Sequence, residues 1–131
     1  MTDRELVEAA LKARLTAYAP YSHCLVGAAL LCTDGTVYTG CNVENASYGA
    51  TLCAERNAFA AAVADGKRAF TAMAVAGGVG ETIDGGFPPC GICRQVMAEF
   101  ADAEFTVLVA TSPEAFTAYR LGDLLPAAFS L

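Results

Sequence analysis

Three of the six cysteines stand where helices are expected to begin, and one of them precedes a carboxylate by two residues. One helix is predicted to begin at Cys53-Ala54-Glu55, and another at Cys90-Gly91-Ile92-Cys93. The positive end of a helix dipole lowers the pKa of a thiol, and the thiolate is the form that binds a metal ion. A Cys-x-x-Cys pair alone would also suit a thioredoxin-like redox site, but that leaves the third cysteine and Glu55 unexplained. A zinc site explains all four residues.

The number of ligands indicates what kind of zinc site this is. One Zn²⁺ per chain is expected on three sulfur ligands, Cys53, Cys90 and Cys93. Three protein ligands leave the fourth tetrahedral position for water, as in catalytic sites, and soft sulfur ligands favour zinc over magnesium or calcium. A fourth sulfur ligand would instead make a closed, structural site, and it could come from Cys24, Cys32 or Cys41. These three cysteines are otherwise expected to be small buried residues.

Two residues beside Cys53 have candidate roles at this site. Glu55 is placed to take a proton from water and pass it on, which is general acid and base catalysis, although a first-turn carboxylate also stabilises a helix dipole. Three thiolates on one divalent cation carry a net negative charge that weakens the Lewis acidity of zinc. Arg56 would offset this charge by donating hydrogen bonds to the sulfur of Cys53 or Cys90. The alternative for Arg56 is a solvated arginine on a helix.

The elements that position these residues follow from local signals. Thr2-Asp3-Arg4-Glu5 matches a capping box and predicts a first helix from Asp3 to about Ala17. Thr33-Asp34-Gly35-Thr36 predicts a hairpin turn between two antiparallel strands. The other predicted elements are those strands at Leu25 to Cys32 and Val37 to Val43, a helix at Cys53 to Ala64, a strand at Phe70 to Ala76, a loop at Gly77 to Pro89, a helix at Cys90 to Ala101 and a strand at Phe105 to Ala110.

This order of elements predicts one three-layer α/β domain over residues 1–131. The alternation of strands and helices from Val37 to Ala110 predicts parallel strands with right-handed crossovers, and the hairpin adds an antiparallel edge. The sheet is therefore expected to be mixed. In the tail, helical turns are predicted at Pro113 to Ala118 and at Leu121 to Leu125.

Composition limits the partners and the location. A net charge of −6 argues against nucleic acid, because phosphate binding depends on lysine and arginine. No apolar run reaches the roughly 18 residues of a membrane helix, and Met1 to Glu5 lacks the layout of a signal peptide. We therefore expect a cytoplasmic protein that binds neither membranes nor nucleic acid. With 55% hydrophobic and 17% charged residues, the chain is also expected to form an oligomer.

Several motifs spread along the chain match one known family. They are Pro20-Tyr21-Ser22, Val26-Gly27-Ala28-Ala29, Gly40-Cys41-Asn42-Val43-Glu44-Asn45-Ala46-Ser47-Tyr48-Gly49, Cys53-Ala54-Glu55-Arg56, Pro89-Cys90-Gly91-Ile92-Cys93-Arg94-Gln95 and Leu121-Gly122-Asp123-Leu124-Leu125-Pro126. From roughly Leu6 to Phe129 the chain resembles the small, homotetrameric, three-cysteine cytidine deaminases. The resemblance implies a three-layer α-β-α domain with a mixed, mostly parallel five-stranded sheet. It also implies hydrolysis of cytidine and 2′-deoxycytidine to the uridine nucleosides and ammonia, a step of pyrimidine salvage.

The resemblance also implies roles for residues that contact the substrate, a free pyrimidine nucleoside. Asn42 and Glu44 would hold the ribose hydroxyls, the backbone of Ala54 would contact the base, and Glu55 would move the proton. Tyr48 and Phe129 would reach into a neighbouring subunit's pocket, which makes a homotetramer with shared active sites. Two further residues are assigned to the substrate pocket, Tyr21 and Cys24.

Cys24 is a departure from the family. Most members have a phenylalanine there, whose ring packs on the pyrimidine, and Leu25 replaces a frequent proline. This predicts a gap beside the base, with weaker binding of cytidine and room for a bulkier nucleoside. A deaminase of a modified cytosine nucleoside therefore remains an alternative, as does a catalytically silent, zinc-stabilised interaction domain. A polynucleotide deaminase is disfavoured by the negative charge.

Overall fold

A computed structural model describes residues 1–131, which form one sheet with helices packed on both faces. The elements in chain order are α1 (Asp3–Ala13), β1 (Cys24–Cys32), β2 (Val37–Cys41), α2 (Ala54–Ala64), β3 (Phe70–Val79), α3 (Gly91–Phe100), β4 (Thr106–Ser112), β5 (Ala115–Arg120) and α4 (Leu121–Leu124). None of the helices has the length and apolar character that crossing a membrane requires.

The five strands lie in the order β2-β1-β3-β4-β5. This confirms a mixed, five-stranded sheet, but the prediction that the sheet is mostly parallel is wrong. Only β3 and β4 pair in parallel, whereas β1 pairs antiparallel with both β2 and β3, and β5 pairs antiparallel with β4. Strands β2 and β3 do run in the same direction, as a crossover through α2 requires. They are not neighbours, because β1 lies between them.

The two ends of the chain differ from the prediction in different ways. The capping box of Thr2 and Glu5 is present, but the α-helix ends at Ala13 and continues as a 3₁₀ turn over Arg14–Thr16. The predicted helical turn at Pro113 to Ala118 is wrong, because β5 occupies most of that segment. As an edge strand with most residues exposed, β5 lacks the apolar pattern by which a strand is recognised in a sequence. The predicted turn after Leu121 is present as α4.

Apolar side chains pack on both faces of the sheet. On one face, α2 and α3 bury a cluster that includes Phe59, Met73 and Met97. On the other face, Leu6 and Val7 of α1 pack against a surface made mainly of alanines, among them those at 29, 72, 74 and 76. The layered α-β-α arrangement is therefore confirmed.

Gly40 of β2 sets the position of the helix that carries Cys53 and Glu55. A Cβ atom on Gly40 would lie 2.4 Å from the carbonyl oxygen of Ala54 and 2.6 Å from the backbone nitrogen of Ala58. Only a residue without a side chain permits this approach. The first turn of α2 is thereby held directly against the sheet.

Candidate metal centre and substrate pocket

The three predicted zinc ligands meet at the N-termini of two helices. Cys53 is the N-cap of α2, Cys90 is the N-cap of α3, and Cys93 lies in the first turn of α3. Their Sγ atoms all lie within 4.8 Å of one another, and those of Cys53 and Cys90 are 3.7 Å apart. A tetrahedral zinc with Zn–S bonds of about 2.3 Å separates its sulfur ligands by about 3.8 Å. The donor set therefore fits zinc in both chemistry and spacing.

The cluster contains three sulfurs and no fourth. Cys24, Cys32 and Cys41 are free thiols that lie outside it. Cys32 is buried in the core, whereas Cys24 and Cys41 are half-buried. A closed four-sulfur site is therefore not formed, and the arrangement has the ligand number of a catalytic zinc site.

Glu55 is buried next to this cluster. Its side chain belongs to the first turn of α2 and is only 4% exposed. Cys93 donates a hydrogen bond from Sγ to Oε2 of Glu55 at 3.2 Å. Burial raises the pKa of the Glu55 carboxyl, because the charged form loses its hydration. A carboxylate removed from solvent and aimed at a metal cluster is suited to proton transfer.

The half-buried Arg56 turns toward the sulfurs. Its Nη2 donates to Sγ of Cys53 at 3.5 Å and to the carbonyl oxygen of Thr51 at 3.3 Å. Its Nε atom is buried and has no hydrogen-bond partner. The pKa of Cys53 is lowered to about 5, chiefly by its hydrogen bond with Cys93 and then by the one from Arg56. The guanidinium therefore places a positive charge next to the negative charge of the thiolate cluster.

A cavity of about 230 Å³ lies against the cluster. Most of the predicted site residues line it, namely Cys24, Asn42, Glu44, Ala54, Glu55 and two of the zinc ligands, Cys53 and Cys90. The cavity therefore joins the metal centre to the residues that the sequence assigned to the nucleoside.

The side-chain amide of Asn42 makes two hydrogen bonds with the backbone of β1 and keeps one N–H donor free. Its Oδ1 accepts from the backbone nitrogen of Val26 at 2.9 Å, and its Nδ2 donates to the carbonyl oxygen of Cys24 at 2.8 Å. A primary amide carries two N–H groups, so one N–H of Asn42 stays available for a ligand.

Glu44 is held by the turn before β1. Its Oε1 accepts from the backbone nitrogens of Tyr21 and Ser22 at 3.0 and 3.1 Å, and its Oε2 accepts from the Ser22 hydroxyl. The hydroxyl of Ser22 is the main cause of a lowered pKa for Glu44, followed by the two backbone donors and the nearby His23. Glu44 therefore presents an ionised carboxylate that still has acceptor capacity for a ligand.

Three of the predicted substrate residues do not line this cavity. Tyr21 and Tyr48 border a groove beside it, which shares Ser22, Glu44 and Thr51 with the cavity. Phe129 lies elsewhere, at the C-terminal end of α3 and next to α4, where its carbonyl oxygen accepts from Gln95. Tyr48 is 83% and Phe129 is 68% exposed. Within one chain, neither of these two rings lines the predicted nucleoside pocket.

The structure also adds residues that the sequence analysis did not single out. Phe87 and Pro88 line the cavity from the loop before α3, and Val26 and Leu52 line it from other segments. The expected gap beside Cys24 is therefore bordered by an aromatic side chain. The sequence signal that could have identified Phe87 as a pocket residue is its position just before Pro88-Pro89-Cys90, since the loop that leads into a metal ligand also borders the metal site.

A three-sulfur centre beside a buried carboxylate, next to a pocket with an amide and a second carboxylate, defines a zinc-dependent hydrolase for a small polar substrate. The family described as the cytidine and deoxycytidylate deaminase zinc-binding region matches residues 1–109. This chain belongs to the cytidine deaminase family.

Individual relatives agree with this assignment. The cytidine deaminase of Sporosarcina psychrophila is 48% identical over 130 residues, which cover 99% of this chain and 93% of the relative. The crystal structure of cytidine deaminase from Burkholderia pseudomallei superposes with a TM-score of 0.90 at 49% identity, covering 98% of this chain and 100% of that one. The structure from Mycobacterium tuberculosis gives 0.80 at 43% identity, with complete coverage of both chains. The predicted enzyme class and the predicted zinc ion are confirmed.

Proposed function

We propose that this chain hydrolyses the exocyclic C–N bond of free cytidine and 2′-deoxycytidine, which gives the uridine nucleosides and ammonia. The observation that carries the proposal is the buried Glu55, whose carboxylate lies beside three zinc-binding sulfurs and lines the pocket. In the reaction, water adds its oxygen to the amino-bearing ring carbon. One of its protons ends on the adjacent ring nitrogen of the uridine product, and the other leaves with the amine as ammonia.

The residues around the cluster have separate roles in the reaction. Zinc, when bound, supplies Lewis acidity that makes water a nucleophile at neutral pH. Glu55 takes a proton from water on its carboxylate and delivers it to the departing amine, so that one group serves as base and then as acid. Arg56 donates to Sγ of Cys53 and thereby moderates the negative charge of three thiolates. The backbone of Ala54, which also lines the pocket, contacts the base.

Asn42 and Glu44 recognise the sugar as a complementary pair. Asn42 keeps one free N–H donor, and Glu44 offers carboxylate lone pairs. A sugar hydroxyl both accepts and donates, so the pair satisfies both of its capacities. Without a sugar, these groups would stay unpaired when the pocket closes, and free cytosine is therefore a poor substrate.

The active enzyme is a homotetramer in which subunits share active sites. Large apolar side chains stand exposed on the single chain, among them Tyr48, Phe129, Ile92 and Val79, each at least 60% exposed. Contacts between copies would cover such surfaces. The six cysteines are all free, which agrees with a reducing, cytoplasmic location, and residues 1–131 act as one deaminase domain.

Ammonia release from a panel of substrates tests the proposal. The zinc-loaded protein is incubated with cytidine, 2′-deoxycytidine, free cytosine, an N4-substituted cytidine and a cytosine-containing oligonucleotide. Turnover of the first two, with little from cytosine or the oligonucleotide, is expected. Faster turnover of the N4-substituted nucleoside would move the assignment to a modified substrate. Zinc binding without ammonia from any member would identify a silent, zinc-stabilised domain and overturn the proposal.

A further inference from the structure

Phe87 is a large apolar residue that belongs to neither core. Its side chain is half-buried, yet it is part of neither apolar cluster and stacks on no other aromatic ring of the chain. It does line the substrate cavity, together with Cys24 and Val26. Packing in the core therefore does not explain this phenylalanine.

The ring lies on the backbone of β3, next to the pocket wall formed by β1. A Cβ atom on Gly77 would come within 2.7 Å of Cγ of Phe87, so the ring occupies the space that any larger residue would fill. Gly77 pairs with Val26 in the antiparallel register of β1 and β3. Directly paired residues point to the same face, and so do residues two apart on one strand. Phe87 therefore lies on the same face of the sheet as Val26 and Cys24.

The loop that carries Phe87 is tied to the rest of the fold. The guanidinium of Arg14 donates to the carbonyl oxygens of Gly78 and Gly80 at 2.9 and 2.6 Å. The backbone nitrogen of Asp84 donates to the carbonyl oxygen of Gly77 at 2.8 Å. The ring is consequently part of a preformed wall, and it need not be recruited when substrate binds.

We propose that Phe87 is the aromatic side chain on which the pyrimidine ring stacks, and that it supplies the ring which the family places at position 24. A pyrimidine has an apolar, polarisable face, and a phenylalanine on the pocket wall is its natural partner. The small thiol of Cys24 leaves space for a base that lies against Phe87. The inference rests on the proposed function, because it concerns the same pocket.

Replacement of Phe87 by Ala tests this role through the balance between KM and kcat. Stacking holds the base equally in the ground state and the transition state, so KM for cytidine is expected to rise about tenfold with kcat nearly unchanged. Phe116→Ala is the matched control, since Phe116 is also half-buried but packs on the opposite face of the sheet. It should leave KM unchanged. An unchanged KM in Phe87→Ala, in a wild type that releases ammonia, would overturn the inference and leave the proposed function intact.

A double-mutant cycle tests whether the two positions can substitute for each other. Cys24→Phe should recover most of the lost affinity in the Phe87→Ala background, because it restores one ring. In the wild-type background the same change should bring no gain, since two rings compete for one space. Equal improvement by Cys24→Phe in both backgrounds would show that the positions act independently and would contradict the proposal.

A fluorescence titration measures the contact without turnover. The chain has no tryptophan, so Phe87→Trp introduces a single reporter. Titration with uridine, the proposed product, is expected to change the emission of this variant in a saturable way, whereas Phe116→Trp should not respond. If the wild type releases ammonia from cytidine while the emission of Phe87→Trp stays flat through saturating uridine, the base does not lie on this ring. Absence of ammonia from every nucleoside would instead count against the proposed function.

Discussion

The Sγ atom of Cys93 donates a hydrogen bond to Oε2 of Glu55, and the two atoms are 3.2 Å apart. Both side chains are nearly inaccessible to solvent, with relative exposures of 0% for Cys93 and 4% for Glu55. The contact joins the first turns of α2 and α3, the two helices whose N-terminal ends carry all three sulfurs. The carboxylate of the proposed proton carrier thus lies directly beside a predicted metal ligand.

Glu55→Gln is expected to reduce kcat by about 10²–10⁴, because the amide keeps the shape of the side chain but moves no proton. Zinc content and thermal stability should stay close to those of the wild type. Glu99→Gln, an exposed change on α3, is the control and should keep full activity. The measurement is ammonia release on proteins of equal zinc content. A Glu55→Gln variant with wild-type turnover would contradict the role of Glu55.

Cys90→Ala is expected to lose zinc and stability together, since the free energy of metal binding contributes to folding. Cys90 is exposed and belongs to neither apolar cluster, so loss of packing would not explain the result. Cys41→Ala, a half-buried cysteine outside the cluster, should keep its metal. Atomic absorption and thermal unfolding check both variants. Full zinc occupancy in Cys90→Ala would show that the ligand set is wrong.

Arg14→Met is expected to lower the free energy of unfolding by about 2–4 kcal/mol, because buried carbonyls lose a charged donor. Arg14 is 2% exposed and donates to four backbone oxygens, those of Leu25, Gly78, Gly80 and Thr82. Arg4→Met, an exposed change, should stay within about 0.5 kcal/mol of the wild type. Urea unfolding measures both. Equal stability of the two variants would show that the buried hydrogen bonds contribute little.

Ser22→Ala is expected to shift the acid limb of cytidine binding to higher pH. The Ser22 hydroxyl is the main cause that holds the pKa of Glu44 below its ordinary value. A carboxyl whose pKa is lowered in the folded protein is fully ionised above its ordinary pKa. Its contribution to binding is lost as the pH falls through the lowered pKa, because the carboxyl then becomes protonated. Without the hydroxyl, the loss should come earlier on acidification.

KM for cytidine measured from neutral pH down to about pH 4 checks this shift. Ser22→Thr keeps a hydroxyl and should restore much of the wild-type profile. Superimposable profiles for the wild type and Ser22→Ala would show that Glu44 does not depend on Ser22.

Phe129→Ala is expected to raise KM for cytidine by about three- to tenfold, with zinc content unchanged, because an aromatic contact is lost. Phe129 is absent from the pocket of its own chain, so the effect must come from a neighbouring subunit. Leu131→Ala, a fully exposed tail residue, is the control.

Light scattering should find four copies of the chain in each particle. A second experiment, in which subunits of two variants are mixed, tests whether the active site is shared between subunits. Tetramers that combine Glu55→Gln with Phe129→Ala subunits contain sites with both wild-type residues. Per subunit that retains Glu55, such mixtures should be more active at low substrate than the Phe129→Ala variant alone. An active monomer, or mixtures with no gain, would contradict shared sites.

Local features of the sequence were sufficient to predict the metal centre. Helix dipoles and short-range spacing act within a few residues, so Cys53, Glu55 and the Cys90 to Cys93 segment could be assigned to two helix starts before any fold was known. The hairpin at Asp34-Gly35 and the capping box at Thr2 are local in the same sense. Asn42 and Glu44 line the pocket, and their role toward the sugar, which the family resemblance implies, stays a prediction.

The tertiary structure decided what depends on distant partners. The strand order is set by which edges pair across the chain, so the insertion of β1 between β2 and β3 left no local trace in the sequence. The edge strand β5 is stabilised by pairing with β4 and not by an apolar pattern of its own. Phe87 became a pocket residue only because Gly77, on another element, leaves space for its ring. Each of these features depends on a contact between segments far apart in sequence, and such contacts exist only once the chain has folded.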